Sequence, residues 1–214
     1  MDTSERLMKI YTDLYEHFGP QGWWPGETAF EIAIGAILTQ NTAWSNVEKA
    51  IGNLKGKKLL DPYRLDELSS EELATLIRPA GYYNIKAKRI KNFIKRLIED
   101  FEGSLNTLFA LDLQDARKWL LSISGIGPET ADSILLYAGE KPIFVVDAYT
   151  YRVLSRHEII FGDESYEEVQ EIFQKNLIND VKFFNEFHAL FVAVGKHYCV
   201  KNKPRCALCP IRTP

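Results

Sequence analysis

The sequence predicts an all-α fold on three observations. Apolar residues return at three- and four-residue steps, capping residues stand at the starts of those runs, and alternating patterning is nearly absent. Leu7, Ile10, Tyr11, Leu14 and Tyr15 share one helical stripe; Leu73, Leu76 and Ile77 form a second, and Ile90, Phe93, Ile94 and Leu97 a third. Start signals agree. Ser69 or Ser70 precedes Glu71 and Glu72, Asn84 precedes a basic helix, and Asp112 precedes the run from Leu113 to Leu121. Each such side chain can accept from the unpaired N–H groups of a first turn. The one β-like run, Ile143 to Val146, is too short to establish a sheet. Gly and Pro interrupt the chain at residues 19–26, 79–81, 125–128, 139–142 and 204–214, so connections are short and no internal repeat is visible.

With 214 residues the chain can form one large domain or two small lobes and bury a full core without disulfide stapling. Hydrophobic residues at 46% and charged residues at 26% match a folded globular protein throughout. The apolar stretch Phe30 to Leu38 already contains Glu31, and no run approaches the roughly 20 apolar residues of a membrane span. The N-terminus carries Asp2, Glu5 and Arg6 where a secretory signal has a basic then apolar pattern, so a cytoplasmic protein is expected.

A net charge of −3 argues mildly against a nucleic-acid partner, but the charge is unevenly placed. Between Gly81 and Arg96 stand Lys86, Lys88, Arg89, Lys91, Lys95 and Arg96 with no acid; from Gly195 onward stand Lys196, Lys201, Lys203, Arg205 and Arg212, again with no acid. Removing these eleven positive charges leaves −14 on the rest. That polarity suits one basic face turned to phosphates; a solvated helix face and a basic tail would give the same count.

The most informative segment runs from Leu120 through Ser124-Gly125-Ile126-Gly127-Pro128-Glu129 to Leu135. It reads as a helix, a tight turn and a second helix with Pro128 at its first position, where a missing N–H is harmless. Gly125, Ile126 and Gly127 can aim backbone N–H groups at a DNA phosphate without regard to base sequence. An ordinary interhelical turn would carry the same glycines. Downstream, Asp147 ends the apolar run Val145-Val146, and in isolation it reads as a helix N-cap.

Together, Ile123-Ser124-Gly125-Ile126-Gly127 and Val146-Asp147 resemble the endonuclease III-like helix-hairpin-helix DNA glycosylase superfamily. The resemblance implies a two-lobed all-α fold: a six-helix barrel lobe with the hairpin over residues 26–139, and a second lobe of residues 1–25 plus 140–214 carrying the catalytic aspartate and a cysteine-cluster loop. It implies Asp147 as the catalytic carboxylate. Departure of a base leaves the sugar cationic, and a nearby carboxylate stabilises that state and can orient water. Glu129 holds the position of the family's lyase lysine, and a carboxylate cannot form an imine. A water-using, monofunctional enzyme is therefore expected, unless Lys141 or another lysine substitutes. Leu38-Thr39-Gln40-Asn41-Thr42 resembles the family loop whose Gln40 equivalent fills the gap left by an extruded nucleotide, and Gly81-Tyr82-Tyr83-Asn84-Ile85-Lys86-Ala87 the segment carrying an intercalating wedge at Tyr82.

Trp23, Trp24 and Trp44 are candidates for a base pocket, since aromatic faces favour cationic rings by about 0.5–2 kcal/mol per contact. This resembles the 3-methyladenine branch of the family, and 3-methyladenine is both cationic and a good leaving group. The tryptophans also read as core residues. Cys199, Cys206 and Cys209, spaced C-x6-C-x2-C in a basic loop, read as metal ligands more readily than as disulfide partners. The resemblance implies a 4Fe–4S cluster whose fourth cysteine would fall one position beyond residue 214, with zinc as the alternative. In that reading the cluster holds Lys201, Lys203 and Arg205 against the DNA backbone. The expected function is excision of an alkylated purine from double-stranded DNA by a monomeric, nucleoid-associated enzyme. A mismatch-specific adenine or thymine glycosylase, a bifunctional glycosylase/lyase and a non-catalytic hairpin DNA-binding protein remain alternatives.

Overall fold

The computed structural model describes residues 2–212. In chain order the helices are α1 (Thr3–Phe18), α2 (Ala29–Thr39), α3 (Trp44–Gly56), α4 (Pro62–Glu67), α5 (Ser70–Leu76), α6 (Tyr83–Phe101), α7 (Leu105–Ala110), α8 (Leu113–Leu121), α9 (Pro128–Ser133), α10 (Ala148–Arg156), α11 (Tyr166–Asn176) and α12 (Val181–His197). A π-helical turn, Ile134–Ala138, prolongs α9. No strand forms among the described residues. Ile143 to Val146 run extended and buried, so the one β-like stretch serves as core filling.

Local chemistry explains most helix starts. Ser69 and Ser165 each close a capping box with a glutamate three residues on, and Asp61, Asp112 and Asp180 each accept from the N–H of the third helical residue. The start of α6 departs from expectation. It begins at Tyr83, preceded by Tyr82 in the left-handed region at φ 45°, with no side-chain cap from Asn84. Lys86 supplies the tie instead: its Nζ donates to Leu38 O and Ala80 O, both at 2.8 Å.

The described residues form two compact units, one of residues up to Trp24 and from Pro142 onward, the other Pro25–Lys141. The core of the 25–141 unit combines Ile34, Ile37 and Leu38 of α2, Val47 and Leu54 of α3, Ile90, Phe93, Ile94 and Leu97 of α6, and Ile134 and Leu135 after α9. Its stripes recur at helical steps because one face of each helix leaves water. The other unit is built on aromatic packing. Phe144 stacks on Phe173 at 3.6 Å between centroids, and Phe184, Phe187 and Phe191 of α12 close around them.

Candidate active site

In the unit containing α10, Asp147 is the N-cap the local sequence suggests, and it is held on both sides. Oδ1 accepts from Thr150 N at 2.7 Å and Thr150 Oγ1 at 3.0 Å. Oδ2 lies 3.5 Å from His188 Nε2, and the carboxylate keeps 11% of its side-chain surface accessible. Burial acts most strongly on this acid, pushing its pKa up, but His188 and the two Thr150 donors together outweigh burial and leave it below the usual carboxylate range. One oxygen is thus committed to the helix, and the other faces His188 on a side chain that is not fully sealed.

Packing fixes that position. Gly195 on α12 meets Tyr149 on α10 so closely that a Cβ would stand 2.3 Å from Tyr149 Cδ1, which brings the two helices together directly behind the cap. The His188 ring contacts Trp23 edge-on at 6.0 Å and Phe144 at 6.5 Å. Trp23 also packs edge to face with Trp24, and Lys196 Nζ lies 5.8 Å from its ring centroid. Trp23 and Trp24 are only partly buried, so neither is a sealed core residue. Among the described residues, then, one cluster holds a carboxylate, an imidazole and an indole that already engages a cation.

In the unit containing the hairpin, Gly125 stands at φ +99°, and a Cβ there would collide with Arg89 Cγ at 2.3 Å. Ile126 is buried and its N–H donates to Ile123 O at 3.0 Å, so that donor closes the turn and does not face outward. Gly127 caps α9 with open space where a side chain would be, and Glu129 is exposed in the first turn. Gln40 reaches the hairpin: its Nε2 donates to Gly125 O at 3.1 Å and to Thr130 Oγ1 at 2.8 Å, while Arg89 donates to its Oε1. Tyr82 is 69% exposed at the start of α6, and Trp44 opens α3 partly buried. Lys141 Nζ donates to Leu111 O at 2.9 Å.

The C-terminal loop is organised by α10. Arg152 donates to Cys199 O and Gly195 O, and Arg156 donates to Val200 O at 2.9 Å, Lys201 O at 3.0 Å and Cys199 Sγ at 3.3 Å. Lys201, Lys203 and Arg205 are exposed. Cys199 and Cys209 are buried and Cys206 is exposed. Burial pushes the Cys209 thiol up, and Cys199 and Cys206 add to the effect. The sulfurs therefore feel one another, yet among the described residues no group of three or more His, Cys, Asp or Glu side chains is placed to hold a metal ion. The arrangement does not fit a ready-formed cluster site.

Residues 34–178 match the family described as HhH-GPD superfamily base excision DNA repair protein. The chain belongs to the HhH-GPD superfamily. This HhH-GPD protein is 48% identical over 210 residues to a Methanocaldococcus jannaschii protein named as a DNA repair glycosylase, covering 97% of this chain and 94% of the relative. It is 30% identical to endonuclease III of Sulfolobus acidocaldarius, over 86% of this chain and 79% of that one. Among solved structures, H. pylori 3-methyladenine DNA glycosylase bound to 1,N6-ethenoadenine superposes with a TM-score of 0.77 at 32% identity, covering 92% and 98% of the two chains. Endonuclease III in a non-covalent DNA complex shares the fold, with a TM-score of 0.85 at 24% identity over 99% and 94%. The HhH-GPD protein is thus a DNA glycosylase with the all-α fold of that family.

Sequence reasoning passed over His188 and the Arg117–Asp132 pair, and it counted Lys86 and Arg89 only with the basic face. His188 lies in the otherwise apolar stretch from Phe187 to Gly195 of α12, with no motif spacing to mark it. Lys86, counted with the basic face, is 1% exposed.

Proposed function

We propose that this glycosylase is monofunctional and excises an alkylated purine such as 3-methyladenine from double-stranded DNA, using water and Asp147. The observation that carries the reading is the divided carboxylate of Asp147: Oδ1 is locked by Thr150, Oδ2 lies 3.5 Å from His188 Nε2, and 11% of the side chain stays accessible. As the glycosidic bond breaks, positive charge develops on the sugar, and a fixed anion stabilises that state without reorganising. A cationic purine leaves readily, so a strong general acid is unnecessary.

Trp23, Trp24 and Trp44 are the proposed base-recognition residues; the relative bound to 1,N6-ethenoadenine makes a modified adenine the natural first substrate to try. Tyr82 is proposed as the wedge, and its exposed ring suits insertion between base steps. Gln40 would fill the vacated position only after releasing Gly125 or Thr130. The hairpin backbone at Gly125 and Gly127, with Lys201, Lys203 and Arg205, is proposed to hold phosphates. The lyase route lacks its amine: Glu129 stands at the family's lysine position and Lys141 is hydrogen-bonded to a carbonyl. Cys199, Cys206 and Cys209 are proposed as ligands of a 4Fe–4S cluster or, alternatively, zinc, in a rearranged loop; iron, zinc and acid-labile sulfide assays distinguish these.

Duplexes bearing 3-methyladenine, a G·T mismatch, uracil or an oxidised pyrimidine test the assignment. The expected result is release of 3-methyladenine, leaving abasic sites that break only after alkali. Breaks without alkali would establish a lyase, and release from another substrate alone would reassign the lesion. Asp147→Asn retains duplex binding and loses at least about a hundredfold in base release.

A further inference from the structure

We propose that His188 is a positioning residue for the reaction, holding Asp147 Oδ2 in the orientation from which it faces the departing base's sugar. The inference rests on Asp147 being the catalytic carboxylate. His188 is 4% exposed in a run of α12 that is otherwise apolar, from Phe187 through Ala189, Leu190, Phe191 and Val192. Burying an imidazole among such neighbours costs free energy unless its nitrogens are used. Its Nε2 lies 3.5 Å from the one oxygen of Asp147 that Thr150 does not hold, an ion pair when the ring is protonated.

The two holds on Asp147 come from different elements. Thr150 belongs to α10, so it fixes Oδ1 relative to the helix that Asp147 caps. His188 belongs to α12, and the close approach at Gly195 sets the spacing of those two helices. Together they determine where the carboxylate sits and how it is rotated. The His188 ring is itself set edge-on against Trp23, so one side chain links the reacting acid to a proposed base-recognition ring. A carboxylate held by Thr150 alone could still cap α10, but it could rotate Oδ2 out of place. A substrate-bound enzyme with that freedom would bind DNA normally and react slowly.

The test compares His188→Met with His188→Gln, side chains of nearly equal length of which only the second can donate to Oδ2. Single-turnover release of 3-methyladenine is measured alongside the Kd for a duplex carrying a non-cleavable abasic analogue. A hydrogen bond to a charged group corresponds to roughly ten- to a hundredfold in rate. His188→Met is therefore expected to lose about that much in the single-turnover rate with Kd unchanged, and His188→Gln to recover most of it. A full rate in His188→Met, or equal losses in the two variants, overturns the proposal, the second outcome showing that only ring packing matters. Asp147→Asn serves as the reference. If it is inert while His188→Met is fully active, only the positioning role falls; if Asp147→Asn itself turns over normally, the reading of Asp147 falls and takes this role with it.

Discussion

Asp147 caps α10 through Oδ1 while Oδ2 lies 3.5 Å from His188 Nε2, and 11% of the side chain stays accessible. Burial would raise its pKa, but His188 and Thr150 pull it below the usual value. The sign follows: such a group contributes stability above its unfolded pKa, and that contribution is lost as pH falls through the folded value. Catalysis should follow the same titration. The acid limb of base release due to Asp147 is expected below the range of an ordinary aspartate, and Thr150→Val should move it upward. Single-turnover rates across acidic buffers in which the protein stays folded by circular dichroism check this. The Lys86 pKa is lowered as well, to about 8 by burial and Arg89, but for an ammonium this disfavours the charged form. Its stem fills core space while its charge ties the carbonyls ahead of Thr39-Gln40 and Gly81-Tyr82, so a residue that reads as phosphate-binding supports two loops from beneath.

At the scale of elements, the hairpin is braced from inside. Arg117 on α8 meets Asp132 on α9 through two bonds, Nε to Oδ1 at 2.7 Å and Nη2 to Oδ2 at 3.1 Å, and Asp132 is fully buried. Removing one member of such a pair leaves a buried charge. Asp132→Ala is expected to destabilise by about 3–5 kcal/mol in urea unfolding, whereas joint replacement of Arg117 by Met and Asp132 by Leu recovers much of the loss. A second brace is α10, whose Arg152 and Arg156, one turn apart, hold the backbone of residues 195–201. The same helix carries Asp147 at its other end, so the acid and the basic loop share one rigid support.

Over the whole molecule, the basic surplus read from the sequence is only partly available to DNA. Lys91 donates to Leu65 O and Leu68 O, Arg96 pairs with Asp100, and Arg89 holds Gln40. Lys201, Lys203 and Arg205 remain exposed. Lys203→Ala should weaken binding to every duplex by a similar factor and reduce the magnitude of the log Kd against log salt slope by about 1, measured by titration at several salt concentrations. The all-α class, the hairpin from Leu120 to Leu135 and the cap at Asp147 were legible because each follows from neighbours within a few residues: apolar period, capping chemistry and turn glycines. Spacing likewise grouped the three cysteines, though it did not show that two are buried and one exposed. The extended run at Ile143 to Val146, the start of α6, the internal use of Lys86 and the pairing of Arg117 with Asp132 depended on partners from 15 to 48 residues away. The amino-acid order by itself determined where most helices begin, α6 excepted, and which residue types could do glycosylase chemistry. Only the tertiary structure decided that Thr150 and His188 would share one carboxylate and that Lys86 would be turned inward, because burial and hydrogen bonding act between side chains that the chain brings together only on folding.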